Sequence, residues 1–178
     1  GILPLILGSL LVTLGAAIIS IPIGVGCAIY IAEIAPPKTK EILKVGIELL
    51  AAIPSVVLGF IGMVTLVPLV KTVFHLPTGL TALSGSIMLA FMAMPTIVSI
   101  AEDALYSIPK NYKEGALALG ATHWQTIWRV MLPAASSGIL AAVMLGIGRV
   151  IGETMAVMMI TGNAAVIPDS ILAPIRTL

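Results

Sequence analysis

Lys110-Asn-Tyr-Lys-Glu-Gly-Ala-Leu-Ala-Leu-Gly-Ala-Thr-His-Trp-Gln-Thr-Ile-Trp-Arg-Val-Met-Leu-Pro133 is the only long stretch of a very apolar chain that reads as a water-facing surface. Pro109 precedes it and disfavours helix at Ile108. Lys110, Lys113 and Glu114 open a helical run over Tyr112–Leu119. Gly120 stands where a helix end wants a residue tolerant of the left-handed conformation. A second run, Thr122 to Met131, has Thr122 as its N-cap and is expected to end before Pro133. Helix, glycine break, helix and proline predict a compact elbow between two hydrophobic segments.

The composition around that elbow excludes a soluble domain. Hydrophobic residues make up 59% of the 178 and charged ones 10%, against about 25% charged in a typical soluble domain. Mean hydropathy is +1.16. The chain therefore reads as an all-α integral membrane protein. Nine Lys and Arg against eight Asp and Glu leave it near neutral, which gives a nucleic-acid partner no support. Cys27 is the sole cysteine, reads as a small hydrophobe in a helix, and permits no intrachain disulfide. The apolar run that follows Gly1 has no basic flank, so it is not read as a signal peptide. The chain is expected to be a fragment.

Four spans are predicted: Ile2–Ala32, Leu49–Val70, Ala82–Ile100 and Ala134–Ile160. The first exceeds what a bilayer core of about 30 Å needs and should tilt, project, or kink at Pro22. Ala35-Pro36-Pro37 ends it, and a polar patch of Lys38, Lys40, Glu41, Lys44 and Glu48 follows. Lys71–Thr81 reads as a short loop and Asn163–Leu178 as a non-spanning one. Lys38, Lys40 and Lys44 share a side with Lys110, Lys113 and Arg129, whereas only Lys71 and Arg176 lie opposite. The positive-inside rule then turns 110–133 toward the cytoplasm of a multi-pass inner-membrane protein.

Within the fourth span, Arg149 and Glu153 are spaced as neighbours on one helix face. An intramembrane charge costs at least about 2.5–3.5 kcal/mol and is normally paired or turned to an aqueous path. Two readings follow. Arg149 lines a route for an oxyanion, its guanidinium offering a fork of donors with Glu153 balancing it, or the two form a structural ion pair. Gly146, Gly148 and Gly152 suit close helix packing.

Glu114-Gly115-Ala116, three residues, Gly120, nine residues, Val130, one residue and Leu132-Pro133 resemble the EAA loop of ABC-transporter permeases. That pattern reads Glu-Ala-Ala, three residues, Gly, nine residues, Ile, one residue, Leu-Pro. Gly115 and Val130 depart from it. Gly115 weakens helix propensity by about 1 kcal/mol relative to Ala. Arg149-Val-Ile-Gly-Glu-Thr-Met-Ala-Val-Met-Met-Ile-Thr-Gly-Asn163 is similar to the phosphate-specific permease of the Pst system, PstC-type subunit. So are Ile53-Pro54-Ser55-Val56-Val57-Leu58-Gly59 and Leu172-Ala173-Pro174-Ile175-Arg176-Thr177-Leu178. The sister PstA-type subunit usually has Ala-Pro where this chain has Met155-Ala156.

The resemblance implies a polytopic bundle of the binding-protein-dependent ABC importer permease type, with residues 1–178 one transmembrane domain incomplete at both ends and 101–133 its cytoplasmic coupling elbow. It implies inorganic phosphate import by alternating access. Implied partners are an ABC ATPase dimer, a PstA-like sister permease, an extracytoplasmic phosphate-binding protein and membrane lipid. Coupling would rest on Glu114, Gly115, Ala116, Gly120, Leu132 and Pro133, and the substrate pathway on Arg149 and Glu153. The chain itself is expected to be no enzyme and to bind no cofactor, with ATP and Mg on the partner; it has no Walker loop. Alternatives are a permease for molybdate or sulfate, and a passive channel or scaffold.

Other candidates have simpler readings. Glu102 and Asp103 mark a membrane boundary or contact the elbow. His75 and His123 fall on opposite sides and form no metal site. Trp124 and Trp128 are interfacial anchors first and ATPase contacts second. Met155, Met158 and Met159 are packing residues. Thr96 and Ser99 either bond carbonyls freed by Pro95 or line the path.

Overall fold

Prolines and glycines set the element boundaries of this chain, and the computed structural model describes all of residues 1–178. The first helix, α1, runs Leu3–Ile29 with Pro4 in its opening turn, where no N–H is missed. Pro22 sits inside without ending it, and a π turn, Tyr30–Ile34, extends the span to 32 residues. Ala35 is then forced extended ahead of Pro36.

The polar patch after the first span is helical. It folds as α2, Pro37–Ala52, none of whose residues is buried. Pro37 at the first position starts it, and the extended Ile53 before Pro54 stops it. The second span consequently begins later than expected, as α3, Ser55–Phe74, and closes on His75 at φ 52°.

The central element is α4, Ala82–Tyr106, capped by Thr81 Oγ1 accepting from Ser84 N at 3.2 Å. Fifteen of its 25 residues are buried, including Pro95, which does not break it. Small residues bring its neighbours close. Ala101 meets Ala28 of α1 and Ala142 of α8, defined below, in a fully buried alanine cluster. Gly24 and Gly146 flank Ile97 so tightly that a Cβ on either would lie within 3 Å of the isoleucine side chain. Such small-residue seams let helices pack by dispersion where lipid removes the hydrophobic drive.

The elbow forms much as predicted. Helix α5 spans Lys110–Ala118, Gly120 takes φ 88°, and Thr122 caps α6, His123–Thr126. That cap is a full capping box, with Gln125 N donating to Thr122 Oγ1 at 3.1 Å and Thr122 N to Gln125 Oε1 at 3.0 Å. Pro133 does not end the run. A π turn over Ile127–Met131 precedes it, and Pro133 lies within the short α7, Leu132–Ala134. The wide turn, with Leu132 N bonded to Ile127 O, relieves the register in which a proline ring would clash. The chain instead turns 72° at Ala135 into α8, Ser136–Ile151.

The fourth span is likewise not continuous to Ile160. Helix α8 stops at Ile151 with Gly152 as its cap, and α9, Met155–Ile160, restarts after a three-residue break and packs on α3 through Gly59 and Gly62. Three helices are long and apolar enough to cross a bilayer, and the pair over 123–151, bent by 72°, makes a fourth if it is counted as one broken span. The tail beyond Ile160 straps the start of α4: Ala82 N donates to Ala173 O at 3.0 Å and Leu83 N to Ile171 O at 2.7 Å. The elbow packs at the other end of α4, where Ile29, Leu105, Ile127, Met131 and Ala135 share a buried cluster.

Candidate functional site

The expected coupling residues divide into an exposed set and a packed one. Glu114, Gly115 and Gly120 face solvent, Ala116 is half-buried, and a Cβ at Gly115 or Gly120 would meet no atom within 4 Å. Leu132 packs inward against the buried cluster at the end of α1 and α4, whereas Pro133 is exposed. The exposed side also carries apolar bulk. Leu119 is 91% exposed, and Tyr112, Trp124 and Trp128 are open as well. The two tryptophans stack edge-on with centroids 5.5 Å apart. A soluble tip rarely presents such a surface unless something binds it.

An ion pair that the sequence reading missed holds the elbow's inner side. Glu33, in the π turn ending the first span, is only 6% exposed at its side chain, and Lys113 Nζ donates to its Oε2 at 2.9 Å. His123 Nε2 stands 3.9 Å from the same oxygen. One carboxylate thus faces both elbow helices, α5 and α6. Glu102 does not contact the elbow. Its side chain is 4% exposed and faces α2, with Lys44 Nζ at 3.1 Å and Lys40 Nζ at 3.8 Å. Asp103 is exposed.

Arg149 and Glu153 do not pair. Because α8 ends at Ile151, the two are not neighbours on one helix face. The half-buried Arg149 reaches across to α4, its Nη1 donating to Thr96 Oγ1 at 3.5 Å. Glu153 caps the restart of the chain, its Oε1 accepting from Ala156 N at 3.5 Å. It also lines an apolar cavity of about 250 Å³ between α1, α4 and α9. The Thr96 hydroxyl is an acceptor for Arg149. Ser99 lines a separate cavity of about 140 Å³ beside Lys44 and Glu102. Of the residues singled out from sequence, the fold brings Arg149 to Thr96 and leaves Glu153 apart from both.

Comparison with known proteins follows the same lines. The sequence model of a family described as "Binding-protein-dependent transport system inner membrane component" matches residues 20–175. The chain is 49% identical over 170 residues to the probable ABC transporter permease protein YqgH of Bacillus subtilis, covering 96% of this chain and 55% of that protein. It is 36% identical over 188 residues to the phosphate transport system permease protein PstC of Pasteurella multocida, covering 95% and 59%. To PstC 1 of Mycobacterium tuberculosis it is 37% identical over 198 residues, covering 100% and 59%. The chain thus spans somewhat more than half the length of these relatives. Among solved structures, an inward-facing MetNI methionine ABC transporter superposes with a TM-score of 0.64 at 24% identity, over 85% of this chain and 68% of that one. That likeness supports the fold.

Proposed function

The chain belongs to the family of binding-protein-dependent transport system inner membrane components, and from that premise we propose that it is a permease subunit of an ATP-driven importer of inorganic phosphate. The observation that carries this is the two-sided elbow. Its outer side offers Glu114, Gly115, Gly120 and open aromatic bulk for docking, and its inner side is tied to the first span by Glu33–Lys113.

Under this reading the elbow end faces the cytoplasm, with Lys38, Lys40, Lys44, Lys110, Lys113 and Arg129 on that side. A dimeric ATPase binds the elbow and carries out the ATP chemistry. Leu132 and the buried cluster around it pass the elbow's displacement to α8, whose Arg149 opens alternately to either side. Nucleotide can drive this only by binding two states of the complex with different affinity. Arg149 beside Thr96 offers a guanidinium fork and a hydroxyl, a donor set suited to a tetrahedral oxyanion. A PstA-like subunit completes the permease, and an extracytoplasmic binding protein delivers the substrate. Resemblance to the PstC proteins supports phosphate over molybdate or sulfate.

The test is reconstitution of the full-length chain with those partners in proteoliposomes. ATP-dependent phosphate accumulation that excess sulfate or molybdate does not suppress is the expected result. Suppression by either would reassign the substrate. Accumulation without ATP would make the chain a passive channel.

A further inference from the structure

Glu102 of α4 stands between two lysines spaced one helical turn apart on α2. Lys44 Nζ is 3.1 Å from its Oε1 and Lys40 Nζ 3.8 Å from the same oxygen, which accepts a well-aligned hydrogen bond from neither. Lys40 also lies over the Tyr106 ring, 4.9 Å from its centroid. Tyr106 is one turn beyond Glu102 on α4, just as Lys40 is one turn before Lys44 on α2. The antiparallel helices thus meet as a ladder of two rungs, Lys44 on Glu102 and Lys40 on Tyr106. The carboxylate is 4% exposed, so the chain's own residues enclose it.

That ladder has a second register. A slide of α2 along α4 by up to one turn, about 5.4 Å, brings Lys40 onto Glu102 and carries Lys44 past it. Space for Lys44 lies on that side: a cavity of about 140 Å³ beside its ammonium, lined by Ile47, Val98 and Ser99. An ammonium is about the size of a water, which needs only about 10–15 Å³ of such space, and the Ser99 hydroxyl can accept from it. Each register keeps one ion pair on Glu102. What changes between them is a cation–π contact against a bond to a hydroxyl, both modest.

The ends of α2 permit the slide. Ala35 and Ile53 are extended, at ψ 137° and 129°, each ahead of a proline, so α2 is continuous with neither the first span nor α3. Packed elements can ratchet past one another by one turn where both arrangements are matched. Leu105, between Glu102 and Tyr106 on α4, belongs to the buried cluster on which the elbow packs. We propose that α2 is a two-register slide on α4, Glu102 exchanging Lys44 for Lys40 as the elbow moves. The slide itself is independent of the importer reading; its place in a transport cycle rests on that reading.

The test uses the full-length chain in lipid nanodiscs, carrying Cys27→Ser and Val98→Cys, with Ser99→Cys as the second reporter should the first fail to assemble. Ile47→Cys, which shares the cavity with Val98, reports the present register. Leu43→Cys, one turn earlier on the same face, reports the shifted one. Under mild oxidation, Lys44→Gln should speed the 43–98 cross-link about tenfold and slow the 47–98 one, since removing the ligand of one register populates the other. Lys40→Gln should do the opposite. Lys38→Gln, on α2 but in neither rung, should change neither rate. In the complete complex, trapping the ATPase with ATP and vanadate should change the ratio of the two cross-links several-fold.

Equal rates across the lysine variants, or a 43–98 cross-link that never rises above background, leave a single register and overturn the slide. Registers that follow the lysine variants but not trapped nucleotide keep the slide and overturn its place in the cycle. A complex whose registers shift with nucleotide but which accumulates no phosphate keeps both and sinks the phosphate-importer reading.

Discussion

Lys113, in the first elbow helix, donates to Glu33 Oε2 at 2.9 Å across 80 residues of chain. The pair joins the elbow to the end of the first span at a carboxylate almost withdrawn from solvent. Lys113 is itself more than a third exposed, so the loss on breaking the pair lies well below the 3–5 kcal/mol of a fully buried one, at about 1–2 kcal/mol. Lys113→Ala should therefore assemble, and its effect should appear in coupling. ATP hydrolysis by the reconstituted complex is expected to continue while phosphate moved per ATP falls several-fold. The exchanged pair Glu33→Lys with Lys113→Glu should recover most of that ratio. Failure of the exchange to recover it would reduce Glu33 to a local stabiliser.

Glu114 points the other way. It is exposed, has no ion partner within the chain, and lies one position beyond Lys113 on α5. Reversing its charge breaks no contact within residues 1–178, so Glu114→Lys should insert and assemble normally. Its expected defect is at the docking surface: phosphate-stimulated ATPase should drop roughly tenfold or more, the scale of losing a buried charge-assisted contact between proteins. Unchanged stimulated ATPase would mean that the partner does not read this face.

Arg149 is the charge most exposed to risk within a span, and Thr96 is its one side-chain partner. Arg149→Ala should abolish uptake while preserving the complex on size exclusion. Thr96→Val, which keeps the side-chain shape and removes the hydroxyl, should lower uptake less. If Arg149→Ala instead prevents assembly, its guanidinium is a structural tie between α4 and α8.

Much of this was readable from local chemistry, and the remainder was not for physical reasons. Gly120 and Thr122 mark the elbow by themselves, because left-handed backbone and capping are decided within a few residues. The class of fold follows from hydropathy in the same way. Glu33 escapes such a reading, since a lone carboxylate at a span end acquires meaning only from partners far along the chain. Hydropathy also could not separate α8 from α9: residues 134–160 average apolar despite Arg149 and Glu153, and a window average is blind to a three-residue break in the helix. That break is what parts Arg149 from Glu153. The π turn before Pro133 is similarly hidden, because it changes the register of bonds without changing composition.

Ile97 offers the last prediction, because it lies between α4 and α8, the two helices that Arg149 and Thr96 bridge. It is fully buried on α4, next in sequence to Thr96, and wedged between Gly24 of α1 and Gly146 of α8. A Cβ added at Gly146 would lie 2.5 Å from Ile97 Cγ1, so Gly146→Ala must push α8 outward or twist the isoleucine, at about 1–3 kcal/mol. Ile97→Ala alone should cost toward the low end of about 2–5 kcal/mol, because lipid tails remove much of the transfer term that operates in a soluble core. Combined, the two changes relieve one another: the new methyl occupies space that the isoleucine vacates. The double variant in detergent should therefore unfold at a higher temperature than the summed single effects allow. The offset should be on the order of 1 kcal/mol, the scale of coupling between touching residues. Phosphate uptake should recover with it if the α4–α8 spacing governs the Arg149–Thr96 contact. Strict additivity in unfolding would show that the glycine and the isoleucine do not meet.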